Sequence, residues 1–95
     1  MEKAGKKDLK DMEIREEYAQ QYGDDLLFAD GFDEAIIGIT LGTLNRVVYD
    51  AHMMATKLVV DHKMDYPEAW EYLEFNTFCA YVGDQTPVYV WRCQQ

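Results

Sequence analysis

The sequence predicts an α+β fold: an N-terminal helix, a small antiparallel or mixed sheet of about three strands, and two further helices, in the order α-β-β-α-α-β. Three observations predict it. Apolar residues fill 48% and aromatic residues 14% of the 95 positions, far more than an acidic disordered chain carries, so a core is buried. Runs rich in β-branched residues at 35–40, 46–49 and 88–91 are too short for helices and are bounded by turn residues. Asp50 and Asp65 each precede a stretch of helical periodicity, where an aspartate side chain satisfies the free backbone N–H groups of the first turn.

Residues 6–22, Lys6 to Tyr22, read as a highly charged helix with a thin apolar stripe of Leu9, Met12, Ile14, Tyr18 and Tyr22. Asp8 and Asp11 stand near its start, where carboxylates suit the helix dipole, and Gly23 is its stop. So narrow a stripe packs lightly, or against another subunit. Residues 1–22 thus form a charged helical segment ahead of a single compact domain, 23–95. Asp30-Gly31 is a turn dipeptide. Ala35 to Thr40 is a strand, and Arg46 to Tyr49 pairs with it as a hairpin through Gly42 to Asn45.

Asp50 caps a helix over Ala51 to His62, which breaks at Lys63-Met64-Asp65. Asp65 caps the next helix, with Pro67 in its first turn and Glu68 three positions after the cap, a reciprocal capping box. That helix is expected to run to about Val82 and to bury Ala69, Leu73, Asn76 and Ala80. Asp84 to Pro87 is a turn and Val88 to Trp91 the last strand. The expected core is Ile36, Ile39, Val47, Leu58, Leu73, Ala80, Val88 and Val90, with Asn76 among them as a buried amide.

Charge is distributed unevenly. Residues 1–20 hold six acids and five bases, which nearly cancel; residues 21–95 hold twelve acids and four bases, a formal −8. A domain this acidic repels nucleic acid and anionic membranes and attracts basic surfaces. No apolar run approaches the length of a membrane span, and the first residues lack the apolar stretch of a secretory signal, so a cytoplasmic setting is expected. Cys79 and Cys93 are then free thiols, Cys79 in an apolar run that reads as core. A core of this size is modest, which leaves room for self-association, and seven tyrosines and two tryptophans suit half-buried positions and interfaces.

No catalytic constellation stands out, and neither metal nor cofactor is expected. His52 and His62 have no ligand partners at helical spacing. Asp30-Gly31-Phe32-Asp33-Glu34 lacks the order of a calcium loop, and its aspartates suit turn hydrogen bonds. Gly38 to Gly42 has no lysine for a phosphate loop. Glu68, Glu71 and Glu74 drift across one helix face and, with Asp84, Asp30 and Asp33, are the candidate contacts for a basic partner; the commoner role of such a face is simple solvation. Asn76, with Tyr49 and Tyr81, forms the candidate ligand-facing set. The commoner role of such an amide is to tie down a neighbouring loop such as Asp84-Gln85-Thr86.

Three short motifs occur in order along the chain: Asp30-Gly31-Phe32-Asp33-x-Ala35, then Glu71-x-x-Glu74-Phe75-Asn76, then Gly83-x-Gln85-Thr86-Pro87. With Val47-Val48-Tyr49-Asp50 between the first two, the chain from Asp30 onward resembles a family of small accessory proteins encoded by tailed bacteriophages. The resemblance brings no activity, cofactor or catalytic residue. It implies action in the cytoplasm of a bacterial host. Joined to the acidic charge, it leads to the expectation of a non-enzymatic protein that binds and inhibits a host protein with a basic surface, such as a nucleic-acid-binding CRISPR or restriction factor. The alternative is an oligomer that sequesters a small molecule or nucleotide.

Overall fold

The computed structural model describes residues 14–92 and has the α+β order expected. A helix over residues 14–22 (α1) leads through a 3-10 turn, Asp33–Ala35, into strands β1 (Ile36–Ile39) and β2 (Val47–Asp50). Helices α2 (Ala51–His62) and α3 (Tyr66–Leu73) follow, then a π-helical turn, Glu74–Phe78, and strand β3 (Val88–Val90). The expected start of the first helix at 6–13, with Leu9, Met12, Asp8 and Asp11, lies outside the described residues, as does Cys93.

Strand β2 is the middle of the sheet. β1 runs antiparallel to it, with Ile36 opposite Tyr49 and Ile39 opposite Val47, and a bulge between Ile36 and Gly38 takes up one residue. β3 runs parallel, Val48 to Asp50 facing Val88 to Val90, so the sheet is mixed. The parallel pairing follows from the chain order, because α2 and α3 carry the chain back across between β2 and β3.

Each helix boundary has a local cause. Gly23 ends α1 with a positive φ of 109° and donates its N–H to the Ala19 carbonyl. Asp50 caps α2 through the Met53 N–H, and Lys63 closes it in the left-handed conformation. At the head of α3 the capping box is complete: Asp65 Oδ1 accepts from the Glu68 N–H at 2.9 Å, and Glu68 Oε1 accepts from the Asp65 N–H at 3.3 Å.

The expected buried face of α3 holds for Ala69 and Leu73 and then fails. At Leu73 the helix widens into the π turn, whose i→i+5 bonding adds a residue to the repeat. The next inward position after Leu73 is therefore Phe78, packed on the core, while Asn76 and Ala80 are exposed. Asn76 is thus not a buried amide; its Nδ2 donates to the Tyr72 carbonyl within its own helix. The helical region ends at Phe78, short of Val82, and Cys79 just beyond it is exposed, not core.

Of the expected core, Val47, Leu58 and Leu73 are buried, and Ile36, Ile39, Val88 and Val90 are half-buried. The centre is formed by Tyr49, Met54, Ala55 and Ala69, joined by Leu26, Phe32 and Ala35. Tyr18 and Tyr22 of α1 pack against this centre, so these two residues of the stripe meet their own chain. An aromatic chain extends the core: Tyr49 stacks on Tyr89 at 5.6 Å, Tyr89 meets Phe78, Phe78 meets Trp70, and Trp70 meets Trp91. His52 closes its outer end between Trp91 and Tyr66, with Nδ1 2.7 Å from the Tyr66 hydroxyl.

These placements give a prediction. Asn76→Leu removes one local hydrogen bond at an exposed site, so stability should change by no more than about 0.5 kcal/mol. A urea titration checks this; a loss above about 1 kcal/mol would return Asn76 to the core as first expected.

Candidate protein interaction surface

The exposed side of α3 is built from its spacing. Glu68, Glu71, Tyr72, Glu74 and Phe75 are all exposed, Phe75 at 77%. Glu68 and Tyr72, and likewise Glu71 and Phe75, stand four residues apart and are neighbours on the helix surface. Carboxylates and aromatic rings therefore alternate along one flank. Glu68 has a second role there, because its side chain is half of the capping box.

No lysine or arginine occurs from residue 64 to 91, a stretch that holds Asp65, Glu68, Glu71, Glu74 and Asp84. Several bases elsewhere are matched to acids of their own. Arg15 grips Asp33 through Nε at 2.9 and 3.0 Å and through Nη2 at 2.8 Å, and reaches Asp30 at 3.2 Å. Lys57 pairs with Asp61 and Glu34, and Arg92 with Asp50. Among the described residues, these three bases are thus matched to acids outside the 64–91 stretch.

The predicted contact residues separate under this geometry. Asp33, its side chain only 10% exposed, is held by Arg15 and is a structural group. Asp30, at 94%, keeps a carboxylate in solvent. The hydrogen bonds to Asp33 strengthen the hold of Arg15 on its proton, and its guanidinium lies 4.9 Å from the Phe28 ring centre. Asp84 accepts a hydrogen bond from the Tyr81 hydroxyl at 2.9 Å, which raises that phenol's pKa, and the Tyr81 ring stays 72% exposed. The turn beneath them is held by the Thr86 hydroxyl, which donates to the Gly83 carbonyl and accepts from the Val82 N–H.

The candidate ligand-facing set comes apart. Tyr49 is fully buried, its hydroxyl accepting from the Ala29 N–H at 2.7 Å, so it presents nothing to a ligand. Tyr81 faces solvent. Asn76 lines a recess of about 250 Å³ with Phe28, Asp30, Phe32, Tyr72 and Tyr89. A second, larger groove of about 470 Å³ runs along α2 beside Glu34, between Met53 and Val60.

Tyr72 and Phe75 are not among the partner contacts expected from the sequence. The signal available was their spacing from the charged face, since Tyr72 stands four residues after Glu68 and Phe75 four after Glu71. Among the described residues no group of three or more His, Cys, Asp and Glu side chains is arranged to hold a metal ion. No helix among them is long and apolar enough to cross a membrane. Comparison with known proteins finds no matching family model, no matching curated protein and no matching solved structure.

Proposed function

We propose that this chain is a non-enzymatic binding protein that uses the α3 flank to occupy a basic surface on another protein. The observation that carries the reading is the flank itself: Glu68, Glu71 and Glu74 interleaved with Tyr72 and Phe75, in a stretch without a single base. Aromatic rings supply contact area at low entropic cost, and the carboxylates steer association with a cationic partner. The resemblance of the chain to phage accessory proteins supports a bacterial host protein as that partner, and the charge supports one whose basic groove normally holds nucleic acid. Inhibition of a CRISPR or restriction nuclease in the host cytoplasm is the specific form proposed.

The test has two parts. Expression of the chain in bacteria should raise the plating efficiency of a phage on a strain carrying such a defence system and leave it unchanged on the matched strain without one. The double reversal Glu71→Lys with Glu74→Lys should abolish the protection while leaving the fold intact, because both side chains are exposed and Glu74, at the C-terminal end of the helix, caps it through its backbone N–H alone. Glu68 is excluded from the reversal, since changing it would also open the capping box. Affinity for the captured partner should fall as salt rises, mainly through slower association. Salt-independent binding, or normal binding by the double variant, would remove charge as the basis of recognition.

A second reading, a sequestering oligomer, needs a second subunit to complete the recess at Asn76 into a ligand-sized site. Light scattering on the purified chain separates it from the first, because a sponge with its site between subunits must be a stable oligomer.

A further inference from the structure

The recess beside α3 has a composition that selects its occupant. Its walls include the rings of Phe28, Phe32, Tyr72 and Tyr89, and its polar lining includes the Asp30 carboxylate and the Asn76 amide. Asn76 Nδ2 is engaged with the Tyr72 carbonyl, so the side-chain oxygen is left to accept a hydrogen bond, and it has no donor among the described residues. The exposed ring of Tyr72 adds an aromatic face at the rim. Both features call for a donor with a delocalised positive charge.

Size narrows the choice. At about 250 Å³ the recess is smaller than the pockets that enclose whole small-molecule ligands, which begin at roughly 300 Å³. One long side chain is the right scale. The rim already holds such a group from this chain, since the Arg15 guanidinium sits 4.9 Å from the Phe28 ring and 3.2 Å from the Asp30 carboxylate. A planar guanidinium can stack on a ring and donate in its own plane to two acceptors; an ammonium cannot do both.

We infer that the recess between the Phe28–Phe32 segment and the π turn is an anchor pocket for one arginine side chain of the basic partner. The inference rests on the proposed reading of the chain as a binder of basic proteins and adds the residue type that is recognised. Tyr72 stacks on the guanidinium, and Asp30 and the Asn76 carbonyl accept from it. The carboxylates of α3 attract the cationic surface, and the pocket selects arginine over lysine.

Fluorescence anisotropy on the full chain tests this with fluorescein-labelled nona-arginine, nona-lysine and nona-citrulline peptides. Nona-arginine should bind roughly tenfold more tightly than nona-lysine, and nona-citrulline, which has the shape without the charge, should not bind. Ala80→Phe, which fills the recess from an exposed lining position, and Tyr72→Ala, which removes the stacking ring, should each erase the arginine preference; Ala80→Phe should leave nona-lysine affinity unchanged, while Tyr72→Ala, which also removes a ring of the flank, should lower it by less than it lowers nona-arginine affinity. Two independent variants guard against misfolding of either, and circular dichroism reads the fold of both. The Glu71→Lys, Glu74→Lys double variant should weaken both cationic peptides alike. Equal affinity for the two cationic peptides, or a preference that survives both recess variants, overturns the anchor pocket while leaving the acidic surface in place. Failure of both cationic peptides to bind the wild-type chain overturns both.

Discussion

Replacing Tyr49 with alanine should cost about 3–5 kcal/mol, a large share of the roughly 5–15 kcal/mol available to a domain of this size. The residue stands in the middle strand, is 0% exposed, stacks on Tyr89 and holds the Ala29 N–H with its hydroxyl. Alanine removes the ring from the junction of sheet, aromatic chain and the 26–32 segment, and nothing adjacent can fill the space without breaking another contact. Phenylalanine separates the two roles. It keeps the ring but leaves a half-buried N–H without its acceptor, so Tyr49→Phe should cost about 1–3 kcal/mol. Urea denaturation followed by far-UV circular dichroism reads both; a phenylalanine variant as stable as wild type would show the hydroxyl contributes nothing.

The same residue sets an alkaline limit. Burial pushes the Tyr49 phenol up to about 12, outweighing the Ala29 hydrogen bond that favours the phenolate. A raised folded-state pKa means stability is fully present below the ordinary phenol range near 10 and is lost as pH rises through the folded value. Burial raises Tyr89 as well, so the alkaline loss is shared. Tyr49→Phe should make the decline between pH 10 and 12 shallower without removing it.

How far the sequence spoke for the fold depended on the range of each interaction. Helix α2 was legible to the residue because Asp50 and the break at Lys63 are local signals. The head of α3 was legible for the same reason, its capping box being written within four residues. Its tail was not. A period of 3.6 carried through Leu73 points to Asn76 and Ala80, and only the wider repeat of the π turn brings Phe78 inward instead. Contacts between distant segments left no local trace: Arg15 finds Asp33 across 18 residues, and Arg92 finds Asp50 across 42. The acidic stretch from 64 to 91 was visible as charge from the start. That Arg15, Lys57 and Arg92 are bound to acids outside that stretch became clear only from the fold.

Asp50 carries the other large expected effect, and it works at the opposite end of the pH scale. Its side chain is 2% exposed, accepts from the Met53 N–H at 3.1 Å, and accepts from Arg92 Nε at 2.7 Å. Burial alone would raise its pKa; the Met53 N–H, the Arg92 guanidinium and the His52 N–H overcome that and hold the carboxyl below the ordinary aspartate range. Asp50→Ala should cost about 2–3 kcal/mol, the sum of a lost helix cap and a lost charge-assisted hydrogen bond. The full cost of orphaning a buried charge does not arise, because Arg92 is 55% exposed and water takes the place of its partner. Asp50→Asn keeps a capping oxygen and loses only the charge, so it should fall between alanine and wild type. With a depressed folded-state pKa, the contribution of Asp50 is complete above the unfolded aspartate value of about 4 and is lost as pH falls through the folded one. Thermal unfolding measured from pH 7 down to pH 2 should therefore show an acid limb that is shallower in both variants. An acid limb as steep in Asp50→Asn as in wild type would mean that another carboxylate sets it.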